Sequence, residues 1–242
     1  MEIITSLENK KIKNLSKLLI KKYRDQEDKF LVEGEHLVEE ALKAGKLIEV
    51  IKTEEYEIDY EVPITIVTYE VLKKLSNSVT PQKVIGVVKK LDEKEIGNKI
   101  LILDNLQDPG NLGTIIRSSV AFNVDTIVLS ENCVDLYNDK VIRASEGMLF
   151  HINIVKKDIE KFIDEIHSKG FVVLGTRVTD GENIKNIEVN DKLAIIMGNE
   201  GAGVRREVLD KCDKYLYIPM NESCESLNVG VATSIILYEL FK

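Results

Sequence analysis

The chain has 242 residues, of which 44% are hydrophobic, and a formal net charge of −8, which fits one large globular domain or two small ones. No apolar run approaches the roughly 18 residues of a membrane span, and the first residues lack a signal-peptide pattern. The three cysteines form no pairing or zinc motif. We therefore expect a cytoplasmic protein, with no membrane segment and no metal site.

Residues 8–24 carry seven basic side chains against a single acidic one. Apolar residues recur among them at helical spacing, as at Ile12, Leu15 and Leu19, which predicts one amphipathic basic helix. A solvated face is one interpretation, and a face that contacts nucleic-acid phosphates is the other. The candidate phosphate contacts are Lys10, Lys11, Lys13, Lys17, Lys21 and Arg24.

The remainder of the first ninety residues predicts a small α/β domain. Its expected strands are 30–34, 47–51, 64–67 and 84–89, and its expected helices are 35–44 and 69–75. A charged stretch, 91–99, then has the character of a linker. We place the domain boundary there, which gives one domain of residues 1–94 and a second of residues 95–242.

The second half alternates strands with helices, and this alternation predicts a parallel sheet covered by helices. Ligands of such sheets collect beyond the carboxyl ends of the strands. The expected strands are 100–103, 126–129, 151–155, 171–176, 193–197 and 215–218. The expected helices are 112–122, 139–144, 158–168, 204–212 and 226–241.

A first polar motif, 104–117, follows the strand at 100–103. Asn111 is placed to cap the helix after a Pro-Gly turn. Arg117 lies four residues after Gly113 on the same helix face, and side chains lean toward a helix N-terminus. Arg117 and the free N–H groups at the helix start therefore predict an anion pocket.

A second motif, Gly198-Asn199-Glu200-Gly201-Ala202-Gly203, lies between a buried strand and a helix. Its glycines allow a ligand to approach the backbone. No Lys-Ser/Thr follows them, and their order differs from the dinucleotide-binding G-x-G-x-x-G. This order disfavours the rival interpretation, a nucleotide-dependent oxidoreductase.

A third motif opens the last helix, for which Ser226 is the expected N-cap. Asn228 and Gly230 then fall within the first turns. The helix is apolar on nearly every side, and such a helix must be covered.

These three motifs together resemble those of a known protein family. Asn111-Leu112-Gly113-x-x-x-Arg117, Gly198-Asn199-Glu200-Gly201-x-Gly203 and Glu225-Ser226-Leu227-Asn228-Val229 resemble the three motifs of the SpoU/TrmH family of RNA ribose 2′-O-methyltransferases, of the SPOUT class. The intervening 143–150 and the N-terminal half, with Phe30-Leu31-Val32-Glu33-Gly34, are also similar to that family.

The resemblance implies a SPOUT-type parallel sheet with a trefoil knot, a ribosomal-protein-like α/β domain that binds RNA, a homodimer, and S-adenosylmethionine as methyl donor. It implies catalytic roles for Asn111, Arg117, Glu200, Ser226 and Asn228. It also implies that Arg143 contacts RNA. The residues implied to bind the cofactor are Gly175, Thr176, Met197, Gly198, Asn199, Gly201, Ile218, Met220, Ser226 and Leu227.

The expected substrate is ribosomal RNA, because the added N-terminal domain is commoner among rRNA enzymes of the family. Transfer RNA is an alternative. A non-catalytic RNA-binding protein that retains the transferase fold is another, although the intact Arg117, Glu200, Ser226 and Asn228 disfavour it.

Overall fold

A computed structural model describes residues 3–57 and 60–241 of the chain. The chain forms two compact units by its internal contacts: Met1–Asp92 with Asp135–Phe150, and Glu93–Val134 with His151–Lys242. Within the described residues, no helix is long and apolar enough to cross a membrane.

The elements are numbered here in chain order. The helices are α1 (Lys10–Ser16), α2 (Lys21–Glu27), α3 (Glu35–Lys43), α4 (Tyr69–Lys73), α5 (Pro109–Ala121), α6 (Asp139–Ser145), α7 (Ile159–Ser168), α8 (Arg206–Leu209) and α9 (Val229–Phe241). The strands are β1 (Lys29–Glu33), β2 (Leu47–Thr53), β3 (Ile64–Val67), β4 (Val84–Lys89), β5 (Lys99–Leu103), β6 (Thr126–Leu129), β7 (Asn153–Lys156), β8 (Val172–Thr176), β9 (Glu182–Asn183), β10 (Leu193–Met197) and β11 (Lys214–Tyr217).

The first unit contains a four-stranded sheet in the order β1-β4-β2-β3. β4 is antiparallel to both β1 and β2, whereas β2 and β3 are parallel. Ile12 and Leu18 pack into the core cluster of this sheet. The single basic helix predicted over 8–24 is wrong: α1 ends at Ser16, a 3-10 turn covers Lys17–Leu19, and Ile20 is extended before α2 begins.

Arg24 lies inside this unit. Its side chain is 7% exposed, and its two terminal nitrogens donate to the Leu18 carbonyl at 2.9 Å and to the Asp135 carboxylate at 2.6 Å. The prediction that Arg24 contacts RNA is therefore wrong, because the break at Ile20 turns α2 and buries this guanidinium in an internal ion pair.

Residues 135–150 pack on the first unit although they follow β6 in the chain. Phe30 of β1 contacts the ring of Tyr137, with ring centroids 4.7 Å apart, and the ring of Phe150 at 6.3 Å. The Tyr137 hydroxyl accepts from the Leu91 N–H at 3.0 Å. Burial raises the pKa of Tyr137 to about 12. This segment is therefore part of the hydrophobic core of the first unit.

The second unit contains a seven-stranded parallel sheet in the order β7-β6-β5-β10-β8-β11-β9. The parallel α/β architecture predicted from the alternation is confirmed. Apolar side chains of α7 and α8, including Phe162 and Val208, cover the sheet. β8 lies between β10 and β11, which both follow it in the chain. The trefoil knot stays a prediction.

Candidate active site

The three motifs follow strands that end at one edge of the parallel sheet. Met197, the last residue of β10, lies opposite Leu103, the last residue of β5. β8 separates β10 from β11. Because the carboxyl ends of parallel strands share an edge, the loops that follow β5, β10 and β11 all emerge at that edge.

The first motif begins α5 differently from the prediction. The Asp108 side chain accepts from the N–H of Asn111 at 2.8 Å and is the N-cap. Pro109 occupies the first helical position, where a missing N–H costs nothing. The prediction that Asn111 caps this helix is wrong, because Pro109 and Gly110 already belong to the first turn.

Asn111 instead joins the other two motifs. Its Nδ2 donates to Glu200 Oε1 at 3.1 Å, and its Oδ1 accepts from Asn228 Nδ2 at 2.9 Å. Glu200 Oε1 also accepts from the N–H of Asp108 at 2.8 Å, and Oε2 accepts from the N–H of Gln107 at 3.2 Å. One continuous hydrogen-bonded chain thus runs from the second motif, through the first, to the third.

Glu200 is a carboxylate held in its ionised form. Partial burial raises the pKa of its side chain, but hydrogen bonds from the backbone of Asp108 and from Asn111 outweigh that effect and hold the pKa below its usual range. An ionised carboxylate is a stronger hydrogen-bond acceptor than a neutral one. Glu200 therefore fixes the start of α5 and the orientation of the Asn111 amide.

The third motif also begins its helix later than predicted. Asn228 Oδ1 accepts from the N–H groups of Gly230 and Val231 at 2.9 and 3.3 Å, so Asn228 occupies the cap position of α9. The prediction of Ser226 as the N-cap is wrong: Ser226 lies three residues before the first helical residue, in the preceding loop. Asn228 therefore caps α9 with one end of its amide and contacts Asn111 with the other.

The glycine motif folds into a tight loop. Asn199 and Gly203 exchange backbone hydrogen bonds of 2.9 and 3.0 Å. The Asn199 side chain accepts from the N–H groups of Gly201 and Ala202, both at 3.0 Å. A Cβ at Gly198 would lie 2.0 Å from the Gly203 carbonyl carbon, so this position admits only glycine.

An ion pair between a buried carboxylate and a partly exposed arginine anchors the far end of the glycine loop. Asp104, at the end of β5, is fully buried. It accepts from the Arg205 N–H at 3.0 Å and from Arg205 Nε at 2.9 Å. Sequence reasoning missed this pair, because its partners are 101 residues apart and Arg205 belongs to no motif, so nothing local connects it to Asp104 at the start of the first motif.

A pocket of about 410 Å³ lies between the glycine loop, the end of β8 and the start of α9. Its size falls in the usual range for small-molecule sites, roughly 300–1,000 Å³. Nine of the ten residues that the resemblance implies for the cofactor line it: Thr176, Met197, Gly198, Asn199, Gly201, Ile218, Met220, Ser226 and Leu227. Other lining residues that the sequence did not suggest include Arg177, Thr179, Val229 and Ile236.

Gly175 lies outside this lining. A Cβ there would approach Cys212 Sγ and a methyl group of Leu209, each at 2.9 Å. Gly175 thus lets α8 and the segment after it pack against β8, which is a structural role. Burial in this contact raises the pKa of the Cys212 thiol to about 12. Among the described residues, no cluster of His, Cys, Asp or Glu side chains could hold a metal ion.

Arg117 stands on α5, outside the pocket lining. Its side chain is exposed, and within residues 3–57 and 60–241 it has no hydrogen-bond or ion-pair partner. Gly113, one turn earlier, is buried. The guanidinium is therefore available to a molecule that binds over α5.

Most of the predicted RNA-binding cations lie on the surface of the first unit and already have partners. Lys11 pairs with Glu49, Lys13 with Glu8 and Lys21 with Asp25. Lys17 donates to the Asn14 side chain at 3.1 Å. Arg143 pairs with Asp139 at 3.0 Å. Lys10 is exposed and has no such partner in the described part of the chain.

Comparison with known proteins gives matches over nearly the whole chain. The family model described as SpoU rRNA Methylase family matches residues 98–238, and the MRM3-like substrate binding domain matches residues 9–86. The 23S rRNA (guanosine(2553)-2′-O)-methyltransferase RlmP of Bacillus subtilis (strain 168) is 38% identical over 246 residues, which cover 99% of each chain.

Solved structures agree with this result. A crystal structure of an RNA 2′-O ribose methyltransferase has a TM-score of 0.85 and 30% identity, with coverage of 99% of this chain and 98% of that chain. The AdoMet-bound rRNA methyltransferase from Sinorhizobium meliloti has a TM-score of 0.87 and 29% identity, with coverage of 99% and 97%.

The parallel sheet, with three motifs joined at one edge beside a pocket, defines a methyltransferase of the SPOUT class. The chain belongs to the SpoU rRNA methylase family. The resemblance drawn from the motifs is thereby confirmed.

Two glycine-to-alanine variants test the geometry of the loop. Gly198→Ala forces a Cβ into the backbone of Gly203, and we expect it to lose at least about 1–3 kcal/mol of unfolding free energy in urea titrations. Gly201→Ala is the matched control, since the nearest atom to its added Cβ lies 3.8 Å away. Its stability should stay within about 0.5 kcal/mol of wild type. Equal effects of the two changes would refute this account of the loop.

Proposed function

We propose that this chain transfers a methyl group from S-adenosylmethionine to a ribose 2′-hydroxyl of RNA. The observation that carries the proposal is the hydrogen-bonded chain Glu200–Asn111–Asn228 beside the pocket. It fixes the start of α5, which carries Arg117, relative to the pocket. Methyl transfer needs the two reactants held in line more than it needs an unusual functional group.

We propose ribosomal RNA, and specifically 23S rRNA, as the substrate. The Bacillus relative, which aligns over 99% of both chains, is named for a guanosine of 23S rRNA. The match of residues 9–86 to a substrate binding domain supports a large RNA substrate. Transfer RNA is the less favoured alternative. We also propose a cytoplasmic location, because the protein would encounter ribosomal RNA there.

The pocket suits S-adenosylmethionine. Ile218, Leu227 and Ile236 supply apolar walls, and the 198–203 loop allows close approach to backbone N–H and C=O groups. The cofactor supplies an electrophilic methyl group on a sulfonium. The protein groups that would hold it are mainly backbone atoms of the loop and side chains of the α9 start.

Arg117 would act on the RNA rather than on the cofactor. A guanidinium stays protonated in proteins, so Arg117 is a poor base. It is suited to bind the adjacent phosphate and to stabilise the alkoxide that develops on the ribose oxygen. Glu200 is no better as a base, because its low pKa and its hydrogen bonds keep it an ionised acceptor. Its role is to orient Asn111 and the α5 start.

RNA affinity would come largely from the first unit. Lys10, Lys11, Lys13, Lys17 and Lys21 give α1 and the turns after it a basic surface on an otherwise acidic chain. The ion pairs that several of these lysines make are exposed, and exposed pairs contribute little and exchange readily. Binding through this surface should weaken with salt.

A homodimer through α9 completes the proposal. Val231, Ile235 and Tyr238 lie on one face of that helix and are 47%, 39% and 54% exposed. A second copy of the same face would cover them, and closed two-fold dimers are the commonest oligomers.

Light scattering tests the dimer. Wild type should show the mass of two chains at micromolar concentration. The double variant Val231→Asp with Ile235→Asp should shift to one chain, because four carboxylates, two from each copy, would be buried at the interface. Val189→Asp, at another exposed valine, should leave the mass unchanged. A monomeric wild type would refute the proposal.

The catalytic role of Arg117 is tested by methyl transfer from labelled S-adenosylmethionine to an unmodified 23S rRNA transcript. Arg117→Ala should lose about 100-fold or more in rate, the scale expected when one preorganised charge-stabilising donor is removed. Its affinity for S-adenosylhomocysteine in calorimetry should stay within a few-fold of wild type. Arg117→Lys should recover little, because a point charge cannot replace the bidentate fork.

Near wild-type transfer by Arg117→Ala would contradict this assignment of the RNA-facing side. The proposed function itself would fail if wild type bound no S-adenosylhomocysteine at millimolar concentration, with EDTA present to exclude an effect of stray metal.

A further inference from the structure

A loop of the first unit, residues 76–82 between α4 and β4, is organised by one carboxylate. Glu33 at the end of β1 accepts from Ser76 Oγ at 2.6 Å, from Ser78 Oγ at 3.0 Å and from the N–H of Gln82 at 2.8 Å. Three hydrogen bonds to one charged acceptor hold both ends and the middle of the loop.

The turn that follows Glu33 completes this arrangement. Gly34 has a φ of +101°, a conformation that favours glycine. The Gln82 side chain lies within 3.2 Å of where a Gly34 Cβ would be. The Glu33-Gly34 pair, which belongs to the family-like stretch of the N-terminal half, therefore shapes the 76–82 loop.

Val79 stands at the tip of this loop and is 95% exposed, the highest value among the exposed large apolar residues of the described chain. Single exposed apolar residues are ordinary on protein surfaces. Val79 differs from such residues because its loop is held in one shape by hydrogen bonds to Glu33. The side chain at the tip contributes nothing to the core, so the fixed shape of the loop suggests a binding role.

An aromatic residue and a cation contact the loop at Pro81 and Ser78, on the two sides of Val79 in the chain. The Tyr69 hydroxyl donates to the Pro81 carbonyl at 3.5 Å, and the tyrosine is 39% exposed. Arg143 Nη1 donates to Ser78 Oγ at 3.2 Å and its Nη2 pairs with Asp139 at 3.0 Å, while its side chain is 40% exposed. This partly exposed pair can exchange for a phosphate. Ser78 therefore links the Glu33 carboxylate to the Arg143 guanidinium.

We propose that the 76–82 loop is an RNA-recognition element that holds an unstacked nucleotide of the substrate, with Val79 and Tyr69 against the base and Arg143 on its phosphate. Unstacked RNA bases stack on aromatic side chains, bases taken out of a stack are also held by apolar side chains, and arginines bind the backbone phosphates. The positive charge of Arg143 near the tip favours RNA, a polyanion, over an apolar protein as the partner of this loop. The inference rests on the proposed function and gives the first unit a defined contact.

The test uses the full-length chain with the variant Val79→Asp, which places a negative charge at the tip. Val79 is almost wholly exposed, so the melting temperature should not change. Val189→Asp, at an exposed valine of the second unit, is the matched control. Filter binding measures the Kd for an unmodified 23S rRNA transcript, and calorimetry measures the Kd for S-adenosylhomocysteine. A methyl-transfer assay gives kcat and KM.

Val79→Asp should raise the Kd and KM for RNA on the order of ten-fold, because a carboxylate at the tip removes the apolar contact with the base and repels the RNA phosphates. Its kcat at saturating RNA and its cofactor Kd should remain near wild type, and Val189→Asp should match wild type throughout. RNA affinity within two-fold of wild type for Val79→Asp, or an equal loss for Val189→Asp, would overturn the proposal. A wild-type chain that neither binds cofactor nor methylates RNA would instead overturn the proposed function and the loop assignment with it.

Discussion

The active-site edge depends on the hydrogen bonds received by one carboxylate. Glu200 accepts from the backbone at the start of α5 and from Asn111, which in turn binds Asn228 at the cap of α9. Three loops from three different strands are thereby fixed to one another through charge-assisted contacts. Fixed geometry is what an in-line transfer between two bound molecules requires. The same contacts hold the pKa of Glu200 below its usual range, so the carboxylate that joins the three loops is ionised at neutral pH.

The first unit is built from two separate parts of the chain. Residues 135–150 lie within the sequence matched by the methylase family model, yet they pack on the first unit. Tyr137 contacts Phe30 of β1, and Asp135 pairs with Arg24 of α2. Removing the N-terminal residues would therefore strip the apolar and ionic partners from this segment. A deletion cannot isolate the contribution of the first unit to RNA binding, whereas single substitutions at exposed positions can.

Local patterns were sufficient for the regular elements. The bounds of β3, β4, β6 and β10 follow from short apolar runs closed by turn residues. The helix starts were harder, because several capping residues stand within three positions of each other, and tertiary partners decide between them. Asp108 caps α5 in place of Asn111, because the Asn111 amide binds Glu200 and Asn228. Asn228 caps α9 in place of Ser226. The Asp104–Arg205 pair and the burial of Arg24 depend on contacts across long stretches of chain, which no local pattern contains.

A double-mutant cycle measures whether Glu200 and Asn111 act as one unit. Methyl transfer would be compared for Glu200→Ala, Asn111→Ala and the double variant, with rates expressed as free energies. We expect a coupling energy on the order of 0.5–3 kcal/mol, so that the double variant is little worse than the poorer single one. Strictly additive losses, with no coupling beyond error, would contradict the claim that this hydrogen bond holds the site together.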